Sequence, residues 1–207
     1  KTIIMGAAEM PETVLQKAKG LNSKILQLGL DFFEDEINTN NLNKESAACS
    51  VAAYKEITNQ QINYKEILGK TSLLGRCDVK GKFILDVSHN LASVRNLMSF
   101  IDKECKGKSI KAIVGLMQDK DITGIIKEIK DVISEWYACS PDIDRAMQST
   151  DLKELILKET RNKAEAFESV DLAVKEAVKE DSTDIVIVFG SFFTVSEAYE
   201  SLSKLKQ

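Results

Sequence analysis

The chain has 207 residues, 43% hydrophobic and 29% charged, with a formal charge of −4, which is ordinary composition for a globular protein with one sizeable core. No apolar run approaches the ~20 residues of a membrane span, and acidic and basic residues alternate without a concentrated basic patch, so neither a membrane nor a nucleic acid is expected as a partner. Cys49, Cys77, Cys105 and Cys139 lie far from C-x-x-C spacing, which points to four reduced, mostly buried thiols in a cytoplasmic protein rather than a zinc or redox site.

Lys1 leads directly into the apolar run Ile3, Ile4, Met5, with no initiator methionine and no secretion signal, and the chain reads as a portion of something longer. Thr2 to Met5 is expected to form a strand. Pro11 opens a helix at a first-turn position, Gly20 closes it, and Lys24 to Leu30 reads as a second strand. The polar segment Glu34 to Lys44 follows, then a small-residue helix through Ala47, Ala48, Val51, Ala52 and Ala53. Two strands and two helices are too few to cover a sheet, so residues 1–68 are expected to be the tail of a larger upstream domain. Residues 69–80 are expected to link it to a complete domain at 81–207.

From Lys80 onward, short apolar runs alternate with helical periods. The runs are Phe83 to Leu85, Ala112 to Val114, Trp136 to Ala138 and Ile185 to Phe189; the last has no polar interruption and reads as a strand buried on both faces. Between and after them, apolar stripes such as Leu91, Val94, Leu97, Ile101 and Ile122, Ile125, Ile126, Ile129, Ile133 mark amphipathic helices. Two later stripes run through Leu172, Ala173, Val174, Ala177, Val178 and through Val195, Ala198, Tyr199, Leu202, Leu205. Repeated strand-then-helix units predict an α/β fold, with a Rossmann-like, mostly parallel sheet covered by helices on both faces.

Neither G-x-x-x-x-G-K-[ST] nor G-x-G-x-x-G occurs, so this domain carries no phosphate-cradling loop of its own. Chemistry is expected instead where strands end. Asp86, Ser88, His89 and Asn90 follow the first strand of the larger domain, and His89 is the single histidine of the chain. Gly115, Gln118, Asp119, Lys120 and Asp121 follow the second strand; Gly190, Ser191 and Thr194 follow the last. In a parallel sheet such ends share one edge and converge on one crevice. Each also has a plainer explanation. Asn90 suits an N-cap, Asp119 and Asp121 suit a helix N-terminus, and Gly190-Ser191 suits a strand-to-helix turn.

Three ordered segments, Leu85 to Asn90, Val114 to Asp121 and Val188 to Val195, resemble the carboxyl-terminal domain of the folylpolyglutamate synthase family, including its bifunctional dihydrofolate synthase form. Gly75-Arg76 resembles that family's interdomain linker and Ala47-Ala48 the small-residue helix ending its ATPase domain; Trp136-Tyr137 and Arg145 also fall where similar residues are placed. The family is related to the Mur ligases. The resemblance implies that residues 1–68 are the end of a P-loop ATPase domain and 81–207 a Mur-ligase-type carboxyl-terminal domain. It further implies an ATP-dependent ligase that joins L-glutamate to dihydropteroate or folate through an acyl phosphate, using ATP and Mg2+ held mainly upstream, as a cytoplasmic monomer. Carried over residue by residue, Arg76 reaches the ATP phosphates and acts in catalysis, and Asp86 hydrogen-bonds the nucleotide. His89 lies at the reacting end near phosphate or glutamate, and Ser191 helps to hold glutamate. No metal ligand is assigned. Ser46 stands where the family has an asparagine against adenine, and Leu91 replaces the usual proline after His-Asn. The stretch by itself is expected to be inactive. The alternatives are a flavodoxin-like or receiver-like ligand-binding module and a Mur-type peptide ligase domain.

Overall fold

A computed structural model describes residues 1–205 except 8, 36, 38, 40, 41 and 180–183, so the polar segment expected over 34–44 falls partly outside the described residues. The chain divides into two compact units, Lys1–Leu73 and Leu74–Gln207.

In the first unit, β1 (Thr2–Met5) and β2 (Lys24–Gln27) pair in parallel around the crossover helix α1 (Glu12–Gly20). Pro11 is the N-cap of α1 rather than its first helical residue, and its carbonyl accepts from Val14 N at 2.9 Å. Strand β2 stops at Gln27, short of Leu30, because Gly29 turns the backbone at φ 84° and Asp31 caps Gln27 N at 2.8 Å. Helix α2 (Lys44–Thr58) is capped by Asn43 and buries Ala47, Ala48 and Val51 against Leu28 and Ile37. Helix α3 (Tyr64–Lys70), capped by Asn63, was not among the expected elements, and only its last two residues fall in the expected linker. A cleft of about 380 Å³ within this unit is lined by Phe32, Ile37, Ala48, Val51, Ala52 and Tyr64; Ser46 is not part of it.

The second unit is built on a sheet of six strands. In chain order these are β3 (Asp78–Lys80), β4 (Phe83–Asp86), β5 (Ile110–Val114), β6 (Glu135–Cys139), β7 (Lys163–Phe167) and β8 (Ile185–Phe189). Their spatial order is β3-β4-β8-β5-β6-β7, parallel throughout except for the antiparallel edge strand β3. Strand alternation divides the core cleanly. Ile84, Ala112, Val114, Trp136, Ala138, Ile187 and Phe189 face one side; Phe83, Leu85, Ile113, Tyr137, Val186 and Val188 face the other. The first side is covered by α4 (Leu91–Glu104), α5 (Ile122–Ile129) and α6 (Ser149–Glu159), the second by α7 (Val170–Lys179) and α8 (Phe192–Lys204). Each fully buried Val, Ile, Leu or Phe contributes roughly 1.5–3 kcal/mol, and this double-sided burial is the main force holding the unit together.

The expected α/β class with a Rossmann-like, mostly parallel sheet is the observed one. Strands β3 and β7 and helix α6 were not among the expected elements, and β3 occupies the last residues of the expected linker. On α7 the buried stripe is Val170, Ala173, Val174 and Ala177, while Leu172 and Val178 face outward.

Candidate functional site

Strands β4, β8 and β5 are neighbours and parallel, so their carboxyl ends, at Asp86, Phe189 and Val114, lie side by side. The three expected loops therefore meet at one edge, and hydrogen bonds tie the second to the third.

At the end of β4, Asp86 is only 4% exposed. One carboxylate oxygen accepts from Ser88 N at 2.9 Å and from the Ser88 hydroxyl; the other accepts from Cys77 N at 2.8 Å and from Cys77 Sγ at 3.4 Å. Asp86 thus spends its acceptors inside the unit. Asn90 caps α4 through Ser93 N at 3.0 Å, and Ser93 Oγ answers Asn90 N at 3.2 Å, a reciprocal capping box. Between these fixed points sits His89, half-buried, with its backbone N on Ser93 Oγ at 3.2 Å and Nδ1 on Val87 O at 2.8 Å. A carbonyl only accepts, so Nδ1 carries the proton and Nε2 of the neutral ring is left as the basic nitrogen, directed away from that bond. The ring lies 6.4 Å from that of Phe192, an aromatic side chain that is 60% exposed at the start of α8.

Ser191 caps α8 by accepting from Thr194 N at 3.0 Å. Thr194 Oγ1 donates to Gly115 O at 2.7 Å, so the 2.7 Å contact between the Ser191 and Thr194 hydroxyls has Ser191 as donor. Behind them the β8 and β5 exits cross at backbone contact. Gly190 has φ 121°, and a Cβ there would stand 2.3 Å from Gly115 O. Asp121 caps α5 through Gly124 N at 3.0 Å, as its position implied. Lys120 Nζ lies 2.6 Å from Asp119; that bond, with Arg145 farther off, holds the Asp119 carboxyl below its ordinary range.

Arg76 follows Gly75, whose φ is 69°, and precedes Cys77, whose φ is 47°. A Cβ at Gly75 would stand 2.9 Å from Val87 Cγ1, so only glycine fits that corner. Gly75 O accepts from Val87 N at 2.8 Å and Gly75 N donates to Tyr199 Oη at 3.1 Å, so the segment expected to be a linker is fastened at this point to the residue after β4 and to α8. Arg76, Asp86, His89 and Ser191 thus share one edge of the second unit. Ser46 lies in the first unit, in the opening turn of α2, with its N on Asn43 Oδ1 at 2.8 Å and its carbonyl accepting from Ser50 Oγ.

A fourth strand end was overlooked. The loop leaving β6, residues 140–148, runs beside the loop leaving β5: Met147 N donates to Leu116 O at 2.9 Å, Gln118 N to Arg145 O at 3.1 Å, and Gln118 Nε2 to Ala146 O at 3.0 Å. The clue in the sequence was the polar stretch Asp142, Asp144, Arg145 directly after a buried run. From α8, Glu197 accepts from Asp142 N at 2.8 Å; burial foremost, with the Asp142 charge against it, raises its carboxyl above the ordinary value.

Among the described residues no group of three or more His, Cys, Asp or Glu side chains is placed to hold a metal ion. All four cysteines are free thiols.

Comparison with known proteins agrees with this architecture. Residues 75–192 match the family described as Mur ligase, glutamate ligase domain. The dihydrofolate synthase/folylpolyglutamate synthase of Buchnera aphidicola subsp. Schizaphis graminum is 32% identical over 146 residues, covering 66% of this chain and 34% of that one. The protein of the same description from Escherichia coli K12 is 26% identical over 227 residues, covering 97% of this chain and 51% of that one. Among solved structures, Escherichia coli FolC in complex with DHPP and ADP superposes with a TM-score of 0.89 at 23% identity, over all of this chain and 54% of that one. The Yersinia pestis bifunctional folylpolyglutamate synthase/dihydrofolate synthase complexed with AMPPNP and Mn gives 0.86 at 23% identity, over 98% of this chain and 53% of that one. At such identity the superpositions speak for the fold. The chain spans about half the length, or less, of the curated relatives it matches. Its sheet, its strand-end loops and the match over residues 75–192 together place it in the Mur ligase family, as a member carrying the glutamate ligase domain.

Proposed function

We propose that this chain supplies the glutamate-ligating side of an ATP-dependent ligase that joins L-glutamate to dihydropteroate or folate. The observation that carries the reading is the meeting of the Asp86–Asn90, Gly115–Asp121 and Gly190–Thr194 loops on one sheet edge, within the stretch that matches the glutamate ligase domain. A carboxylate is a poor electrophile until one of its oxygens becomes a good leaving group. In this reading the γ-phosphoryl group of ATP passes to the pteroate or folate carboxylate, the glutamate amine attacks the acyl carbon, and the C–O bond to phosphate breaks. ADP, inorganic phosphate and an amide result.

The residues of this chain act mainly by position and charge. Arg76 supplies a cation toward the transferred phosphoryl group. His89, with its Nδ1 proton spent on Val87 O, offers Nε2 to the proton lost from the attacking amine. Ser191 and Asp86 support this by shaping the loops: Ser191 at the α8 cap beside the incoming glutamate, Asp86 by fastening Cys77 and Ser88 behind the nucleotide-facing turn. Ser46 is the candidate for contact with adenine. ATP and a divalent cation belong to the reading as bound chiefly by residues beyond those that match the glutamate ligase domain. Among the described residues no helix is long and apolar enough to cross a membrane, and a cytoplasmic monomer is the form we infer.

The test is steady-state assay of the complete gene product. ADP release is expected only when ATP, L-glutamate and either dihydropteroate or folate are all present, and Arg76→Ala and His89→Ala should each lower turnover by about 100-fold. Ligation of cell-wall peptide precursors instead of folates would replace this reading with a peptide ligase, and full turnover in both variants would sink the residue assignments.

A further inference from the structure

We propose that Tyr199 is a positioning residue that holds the bend carrying Arg76 in its working pose; this rests on the reading of Arg76 given above. The bend is conformationally expensive. Gly75 and Cys77, on either side of Arg76, both have positive φ, at 69° and 47°, and Cys77 is a residue type that seldom adopts that region. Gly75 takes its angle freely, but a cysteine at positive φ persists only where surrounding contacts over-determine it.

Two of the contacts come from the end of β4 and the residue after it: Val87 N to Gly75 O at 2.8 Å, and Cys77 N to the Asp86 carboxylate at 2.8 Å. The third comes from α8. Tyr199 Oη accepts from Gly75 N at 3.1 Å and donates its own proton to the Asp78 carboxylate. One hydroxyl therefore grips the residue before Arg76 and the second residue after it, strapping the bend from both ends. Desolvation, and then the Asp78 hydrogen bond, push the Tyr199 phenol up to about 12, so the donated proton stays in place at neutral pH. The same helix is capped by Ser191 and carries Thr194, which bonds Gly115 O at 2.7 Å. A single rigid element thus sets the register of Arg76 against the strand ends where His89 and Ser191 sit.

Tyr199→Phe keeps the ring and removes only the strap. In the 207-residue chain, amide hydrogen exchange at Gly75 and Cys77 should accelerate about three- to tenfold, the equilibrium worth of one such hydrogen bond, while amides of β4, β5 and β8 keep their rates. Unchanged exchange at both bend amides would overturn the proposal, as would uniform acceleration through the sheet, the mark of a merely structural role. In the complete gene product, Tyr199→Phe should lower kcat about tenfold with KM for glutamate unchanged. The same change made on Arg76→Ala should add less than about twofold, because the two residues act as one unit. Multiplying effects would overturn it. If the wild-type protein shows no ATP-dependent ligation at all, the reading of the activity fails, and the exchange measurement alone decides whether Tyr199 holds the bend.

Discussion

At the carboxyl end of β4, Asp86 shows what burial does to a polar residue that the sequence alone marks as ligand-facing. Its oxygens accept from Cys77 N, Ser88 N and the Ser88 hydroxyl, and an ionised carboxylate can only accept. Asp86→Ala should leave these donors without a partner and cost about 3 kcal/mol or more, seen as a lower urea midpoint with unchanged slope; Asp86→Asn should cost less, since one oxygen remains. Gly190 is bound by a different constraint. With φ at 121° and a would-be Cβ 2.3 Å from Gly115 O, Gly190→Ala should destabilise by about 3 kcal/mol or more, and a near-native midpoint would refute the crossing of the β8 and β5 exits. The capping roles of Asn90 and Asp121 were legible because a cap depends on residues three positions away, whereas Ser191, read as part of a strand-to-helix turn, proves to cap α8. The fastening of Asp86 was not, because its partner Cys77 lies across the β3–β4 turn and reaches it only once that edge strand has folded back.

Helices α7 and α8 lie side by side on one face of the sheet and are linked through polar groups as well as through their apolar stripes. The buried Ser201 hydroxyl of α8 donates to Asp171 of α7 at 2.8 Å, and Lys175 lies 2.7 Å from the same carboxylate. Lys175 first, and then Ser201, hold the Asp171 carboxyl below its ordinary value. A group depressed in the folded state contributes stability above its unfolded pKa, about 4 for aspartate, and that contribution is lost as pH falls through the folded value. Thermal melts from pH 6 downward should therefore show the wild type more stable than Asp171→Asn at pH 6, a shallower acid-side decline for the variant, and the gap between the two closing as pH falls below about 5. At the other end of α8, Thr194→Val keeps the shape but removes the bond to Gly115 O and should cost about 1–2 kcal/mol. Element by element, the sequence was clearest where strands are buried on both faces, as in β8, and where stripes are long, as in α4. It was silent at the sheet margins. Strand β7 alternates alanine with charged residues, and β3 has three residues, of which Val79 is exposed; edge strands need no apolar run, so no periodicity announces them.

The chain divides into two units, Lys1–Leu73 and Leu74–Gln207, each with buried clusters of its own. We propose that residues 74–207 form an autonomous domain. Expressed alone, they should unfold in one cooperative transition, with amides of β4, β5 and β8 the slowest to exchange; loss of cooperative unfolding would show that this core depends on the preceding residues. From the sequence the larger unit was expected to begin at residue 81, whereas the compact unit begins at Leu74, because Gly75 to Lys80 looks like linker until Tyr199 and Asp86 are seen to bind it.

Strand β8, the last to be made, lies between β4 and β5, the first and second parallel strands of the sheet. On the ribosome, β4 and β5 must wait with their inner edges unpaired until some 70 further residues have emerged, for neither can close on the other without the missing rung. The emerging chain is in that interval both unfinished and adhesive, since an open, apolar strand edge is a template for pairing with any neighbour. The edge that gathers His89, Arg76 and Ser191 is therefore completed only when Ile185–Phe189 slots between β4 and β5, although the turn around Asp86 and His89 is bonded largely within residues 75–93.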